Sequence, residues 1–268
     1  MLDIQTIIYF LALGSFVGVV SGLFGIGGGG IIVPVLTAMF LVNNTIDENS
    51  VVHLALGTSM AIIIITSISS IKAQQKKKAI VWDVVKMMVP GIIIGTFLAT
   101  FIASKLDSFY LSIIFACFMF YSAIMMFIGK KPKPENKIFT AKTHILSGGA
   151  IGALSSLVSI GGGIMSVPYL LIQNIDIKKA IATSSAIGLP IAISGTLGYI
   201  VNGWSHTSME TYTLGFVSIP ALICVAFASY LTAPIGVMLV HKINVDLMKK
   251  LFSLIPLALS IKMIYSLI

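Results

Sequence analysis

Six stretches of this chain, roughly 52–71, 80–104, 109–129, 177–201, 211–240 and 246–268, stay apolar long enough to cross about 30 Å of hydrocarbon as helices. They are longer than a soluble core helix needs, and they lack the two-residue alternation of an outer-membrane strand. Mean hydropathy is +1.04 and only 10% of the 268 residues are charged, so the expected fold class is an all-α polytopic membrane protein. The first ten residues have no basic segment followed by a small-residue cleavage site. They read as the start of a helical hairpin and not as a signal peptide.

Two further apolar segments are broken by glycines. Gly18 to Pro34 and Gly152 to Pro168 align without a gap at an offset of 134 residues, with 9 of 17 positions identical. The arms around the second glycine run, 143–156 and 165–174, reach only about 21 and 15 Å at the rise of an α-helix, too short for two crossings. The first run has arms of roughly 6–23 and 31–42, the former nearly long enough to span. Each segment is read as a re-entrant hairpin with its tip near the midplane. The chain then consists of two homologous halves, 1–129 and 143–268, joined by a Lys/Pro-rich linker over 130–142. Each half holds one Gly-broken hairpin plus three spanning helices, an odd count that makes the halves inverted repeats. Broken helices at corresponding places in a duplicated membrane protein point to a transport site.

Lysine placement tests the hairpin reading. All 17 basic residues are lysines. With hairpins, Lys72, Lys76, Lys77, Lys78, Lys86, Lys130, Lys131, Lys133, Lys137, Lys142, Lys178, Lys179, Lys242, Lys249 and Lys250 share one face. Lys105 and Lys262 fall on the other, together with Asp3, Asp47, Glu48 and Glu210. If each broken segment were a single span, Lys178, Lys179, Lys242, Lys249 and Lys250 would change face and the bias would mostly vanish. Lysine-rich short loops stay in the cytoplasm, which favours hairpins and puts the linker on the cytoplasmic side of a cell (inner) membrane. The net charge of +8 is thus an orientation signal and no nucleic-acid surface.

The glycine runs carry the chemistry. Gly27, Gly28 and Gly29, like Gly161, Gly162 and Gly163, permit sharp turns and positive φ without a Cβ penalty. A new helix follows each run, its start marked by Pro34 or Pro168, since proline suits a first turn. The first amides of those half-helices, around 28–32 and 162–166, have no intrahelical partner, and they carry the positive end of a helix dipole. An anion is their natural occupant. Hydroxyls come from a second repeated element: Ala55 to Met60 matches Ala180 to Ser185 at an offset of 125, pairing Thr58 and Ser59 with Thr183 and Ser184. Ser21, Gly25, Ser155 and Ser159, around the glycine runs, complete the candidate substrate-binding set. Helix packing is the competing role for every one of these small residues. Neither run ends in the Gly-Lys-Ser/Thr of a phosphate-binding loop.

The remaining polar residues read as interfacial. His53, His144, His206 and His241 sit at span edges, where a water-facing ring is expected, and Asp83 and Lys86 are spaced to pair at the headgroups. Cys117 and Cys224 lie inside spans as small buried hydrophobes. The reading that results is a transporter of a small anionic substrate in a lipid bilayer, with no cofactor, no metal and no nucleic acid, and with no oligomeric state assigned. A channel-like anion pathway is equally compatible with these residues. An intramembrane enzyme requires a serine with a basic partner in reach, and the histidines are few and peripheral.

Ser21-Gly-Leu-Phe-Gly25-Ile-Gly27-Gly28-Gly29 with Val33-Pro34 resembles the repeated signature of the TauE/SafE family of membrane transporters, grouped with sulfite and organosulfonate exporters. The second copy departs from it at Ser156 and Ser159, where the first has glycine. The resemblance covers essentially the whole chain. It implies transport of small sulfur-containing anions such as sulfite, sulfonates or sulfoacetate, commonly outward.

Overall fold

The computed structural model describes residues 3–25, 27–42, 48–128, 139–208, 212–242, 253–254, 257–259 and 261. These form α1 (Ile4–Phe24), α2 (Gly29–Val42), α3 (Glu48–Gln75), α4 (Trp82–Ala103), α5 (Ser108–Ile128), α6 (Ala141–Leu157), α7 (Gly163–Ile172), α8 (Ile177–Asn202) and α9 (Ile219–Lys242). By length and composition, α1, α3, α4, α5, α8 and α9 can each cross a membrane, while α2 and α7 are short and apolar. The chain is an all-α polytopic membrane protein. The linker stretch 130–137, most of the expected span 246–268, and Asp47, Glu210, Lys249, Lys250 and Lys262 lie outside the described residues.

One span differs from its expected bounds. Within 211–240, Thr213–Leu214 (β1) and Val217–Ser218 (β2) pair antiparallel around Gly215, whose φ is +55°. The helix begins only at Ile219, with Pro220 in its first turn. Thr, Leu, Phe and Val are apolar enough to read as a continuation of the span, but glycine's positive φ breaks the helix and proline restarts it.

The two central helices are α3 and α8: 83% and 78% of their apolar windows are buried, against 56% or less for the other four. Around them the outer helices pack in pairs through glycines, whose missing side chains let backbones approach. Gly14, Gly18 and Gly22 of α1 lie on Val225, Ser229 and Ala233 of α9. Gly91 and Gly95 of α4 lie on Ile145 and Gly149 of α6. Both pairs run parallel, so each pair joins a helix from before the linker to one from after it.

These contacts fix the direction of each broken segment. The Tyr169 hydroxyl, near the end of α7, meets His144 Nδ1, near the start of α6, at 2.9 Å. Thus α6 and α7 open toward one end of the bundle. Thr183, near the start of α8, accepts a hydrogen bond from Val81 N–H just before α4, which places that opening beside Lys76, Lys77 and Lys78. Conversely, α1 runs parallel to α9, and α9 begins where Ser218 N–H donates to Thr58, near the start of α3. Since α2 leads into α3, the first segment opens toward the opposite end. Among the described lysines, Lys72, Lys76, Lys77, Lys78, Lys86, Lys142, Lys178, Lys179 and, at the last position of α9, Lys242 belong to the first end and Lys105 to the other.

Candidate anion site at the paired glycine turns

In the first turn, Gly25 takes φ +67° and donates its N–H to the Ser21 carbonyl at 2.8 Å, ending α1. Gly27 and Gly28 follow at φ +76° and +82°. The Gly28 carbonyl then accepts from both Ile31 and Ile32, which starts α2. In the second turn, Ser159 is the left-handed residue (φ +48°) in the place of Gly25, and Gly162 (φ +78°) starts α7. Its carbonyl accepts from the Met165 and Ser166 N–H groups. The helices therefore begin at Gly29 and Gly163. Pro34 and Pro168 stand inside them, in the second turn, and do not mark their starts as expected. The left-handed glycine sets each boundary; proline's first-turn preference is only a tendency.

The two turns touch backbone to backbone. A Cβ added to Gly29 would lie 1.6 Å from the Ser159 carbonyl oxygen, and one on Gly27 would lie 3.1 Å from the Gly161 Cα. All the described residues of both turns are buried. Among the described residues, the N–H groups of Gly29 and Gly30 in α2, and of Gly163 and Ile164 in α7, meet no hydrogen-bond acceptor. Two helix starts with unclaimed amides are thus held side by side in the core. No Asp, Glu or Lys is buried among the described residues, so the dipoles of α2 and α7 leave a positive potential there.

The hydroxyls divide by task. Ser184 Oγ donates to the Ile181 carbonyl at 2.8 Å and lies 3.3 Å from the Gly25 carbonyl, tying the first turn to α8. Ser159 Oγ donates to the Leu56 carbonyl at 2.8 Å, tying the second turn to α3. Thr58 and Thr183 accept from Ser218 N–H at 2.8 Å and from Val81 N–H at 3.0 Å, anchoring the chain just before α9 and α4. Ser21 and Ser155 support the turns through their carbonyls. Ser59 is different: it is fully buried, and its hydroxyl has no partner among the described residues. The sequence reading missed Ile63, which wedges under Gly27 and Gly29, and Gly188, which lets α8 approach the Gly161 carbonyl. Extending the 125-residue offset pairs these two positions.

Ser159 supplies a first test. A left-handed conformation costs a non-glycine residue about 1–2 kcal/mol, here offset by the bond to Leu56. Ser159→Ala keeps the strain and loses the bond, so thermal unfolding in detergent should report a loss of about 1 kcal/mol. Ser159→Gly removes both and should stay within about 0.5 kcal/mol of the parent.

Several polar residues depart from their expected places. His53 and His144 are buried, not water-facing. His53 stacks on the Phe216 ring at 5.0 Å, and His206 stacks on the same ring at 4.8 Å. Phe139 and Tyr169 enclose His144. Cys117 is exposed on the outer surface and Cys224 half-exposed. Asp83 and Lys86 are both exposed and form no ion pair among the described residues. Ser50 Oγ and His206 Nδ1 approach only to 3.5 Å, at the exposed end of the bundle, which is too long for an activated pair.

A polytopic helical bundle with two glycine-broken, oppositely opening hairpins meeting in its core is the architecture of a membrane transporter. The family described as Sulfite exporter TauE/SafE matches residues 10–263, and the chain belongs to it. A "Probable membrane transporter protein" of Haemophilus influenzae is 36% identical over 258 residues, 96% of this chain and 97% of that one. A second "Probable membrane transporter protein", from Methanocaldococcus jannaschii, is 31% identical over 239 residues, 87% and 86% of the two chains. The "Probable membrane transporter protein YdhB" of Bacillus subtilis is 30% identical over 200 residues, 70% and 76% of the two chains. No solved structure matches the chain.

Proposed function

We propose that this protein is a secondary transporter of a small sulfur oxyanion or organosulfonate. The anion is held near the membrane midplane between the starts of α2 and α7 and moved by alternating access. One observation carries the reading: two buried helix starts meet with no acceptor for their first amides among the described residues. Backbone amides and the Ser59 hydroxyl would bind the anion; a helix start takes oxyanions without a charged side chain. The description of the family as sulfite exporters supports the sulfur class. Contact between the turns supports a carrier over a channel-like pathway, because parting them is then part of each cycle. The halves act as inverted repeats, and the lysine-rich end faces the cytoplasm of a cell (inner) membrane.

A thermal-shift screen of the purified protein against sulfite, sulfate, thiosulfate, sulfoacetate and taurine tests the ligand class. A ligand at a hundredfold excess over its Kd stabilises the folded state by about 2.7 kcal/mol, an upward shift that sulfite or a sulfonate should produce. Counterflow of labelled sulfite in proteoliposomes then separates carrier from channel. No shift with any of these anions and no exchange would overturn the proposal.

A further inference from the structure

Beyond the glycine turns, α3 carries a second polar feature. Ser59, Ile63, Ser67, Ser70 and Gln74 recur at three- and four-residue spacing, so they share one face of that helix. Ile63 marks where this face meets the glycine turns, since it lies against Gly27 and Gly29. Ser67 Oγ faces Gly188 next to the Gly161 carbonyl. Farther along, Ser70 and Gln74 are 1% and 0% exposed. Neither Ser70 Oγ nor either atom of the Gln74 amide has a hydrogen-bond partner among the described residues. Beyond Gln74 come Lys76, Lys77 and Lys78, all exposed.

Buried polar groups are normally satisfied, and an amide with both of its atoms unclaimed is costly unless water or a ligand reaches it. The matching face of α8 is closed. There Ser184 bonds the Ile181 carbonyl, and Tyr199, which takes the place of Gln74, donates its hydroxyl to the Ser156 carbonyl at 2.9 Å. No unpartnered buried side-chain atom occurs on α8. Among the described residues, α3 also leaves Ser59 Oγ and His53 Nδ1 unclaimed on the other side of Ile63, but only at Gln74, next to the lysine-rich end, are the donor and the acceptor of one buried side chain both unclaimed.

We propose that Ser70 and Gln74 form a second, hydrated station for the transported anion on a route along α3 between the glycine turns and the lysine-rich end. The Ser70 hydroxyl and the Gln74 NH2 group donate to a small oxyanion, while the Gln74 carbonyl accepts from its water. The ligand class rests on the function proposed above. The wetted route does not.

Cysteine accessibility in the full chain separates the two. With Cys117 and Cys224 replaced by serine, the protein carrying S70C or Q74C is reconstituted in liposomes. It is then treated with a membrane-impermeant, sulfonate-bearing methanethiosulfonate reagent. S229C serves as control, because Ser229 is fully buried on α9 and bonds its own helix at the Ala226 carbonyl. Both test thiols should react at least tenfold faster than the control, and only from the lysine-rich side. Equal rates overturn the route even if sulfite is transported. Fast labelling without protection by sulfoacetate, a sulfonate that does not consume the thiosulfonate reagent as sulfite would, leaves the route standing and overturns the anion station. Gln74→Leu adds an independent readout: it should lower sulfite exchange at least tenfold. A Leu variant with a raised Tm and unchanged exchange would mean that Gln74 is only a poorly packed amide, which also overturns the station.

Discussion

Replacing Gly29 by alanine is expected to abolish transport and to lower the unfolding temperature, through a single added methyl group. The new Cβ would fall 1.6 Å from the Ser159 carbonyl oxygen, which belongs to a backbone held at both sides. Ser159 is pinned by its own bond to Leu56, and the Ile160 N–H is committed to Ser155. No side chain can rotate away, so one whole turn must shift. Overpacking of this kind costs about 1–3 kcal/mol or more. Gly29 does not sit at positive φ, so the loss would report close approach of the turns and not backbone strain. Gly149→Ala is the matched control. Its added Cβ would meet nothing nearer than 3.5 Å, and both stability and exchange should stay near those of the parent.

Gly162→Leu should give the second large effect, of a different kind. Here φ is +78° and the added Cβ would meet the mobile end of Ile191 at 2.7 Å, a contact that rotamer change relieves. The left-handed cost of about 1–2 kcal/mol leaves a folded, inserted protein. The leucine would add its bulk at the N-cap of α7, against Ile191, Ile151 and Ser155. Sulfite exchange in proteoliposomes is expected to fall to background, with normal membrane insertion and a single gel-filtration peak. Gly28→Leu, at φ +82° and against Val17, should behave likewise. Near-normal exchange by both variants would remove the glycine turns from the proposed site.

Much of this architecture was legible in the sequence. Apolar run lengths gave α3, α4, α5, α8 and α9, and the short arms around the second glycine run gave a segment that turns back on itself. By contrast α1, read as a hairpin arm, is itself long and apolar enough to cross a membrane, and the expected span 246–268 lies mostly outside the described residues. The matched offset gave the pairing of Thr58 with Thr183. Other features depend on contacts that periodicity does not encode. The 213–218 hairpin hid in an apolar run because β-branched and aromatic residues suit a strand and a buried helix alike. Pro34 and Pro168 misplaced two helix starts, since a positive-φ glycine upstream outranked them. Hydropathy gives depth but not facing, so it could not foresee that rings distant in sequence would cover His53 and His144. Thr58 and Thr183 were expected beside a ligand. What could not be read is that each already holds the N–H group just before a helix that packs on the other half's first helix.

That exchange of partners has a consequence for biogenesis. When α1 and α4 leave the ribosome, the grooves cut by Gly14, Gly18 and Gly22, and by Gly91 and Gly95, face only lipid. Their fillers, α9 and α6, have yet to be synthesised. The early chain can insert, but it has no finished core of its own. Assembly must await the last third of translation, and nascent chains stalled after α5 should be open to quality-control proteolysis while the completed polypeptide is not.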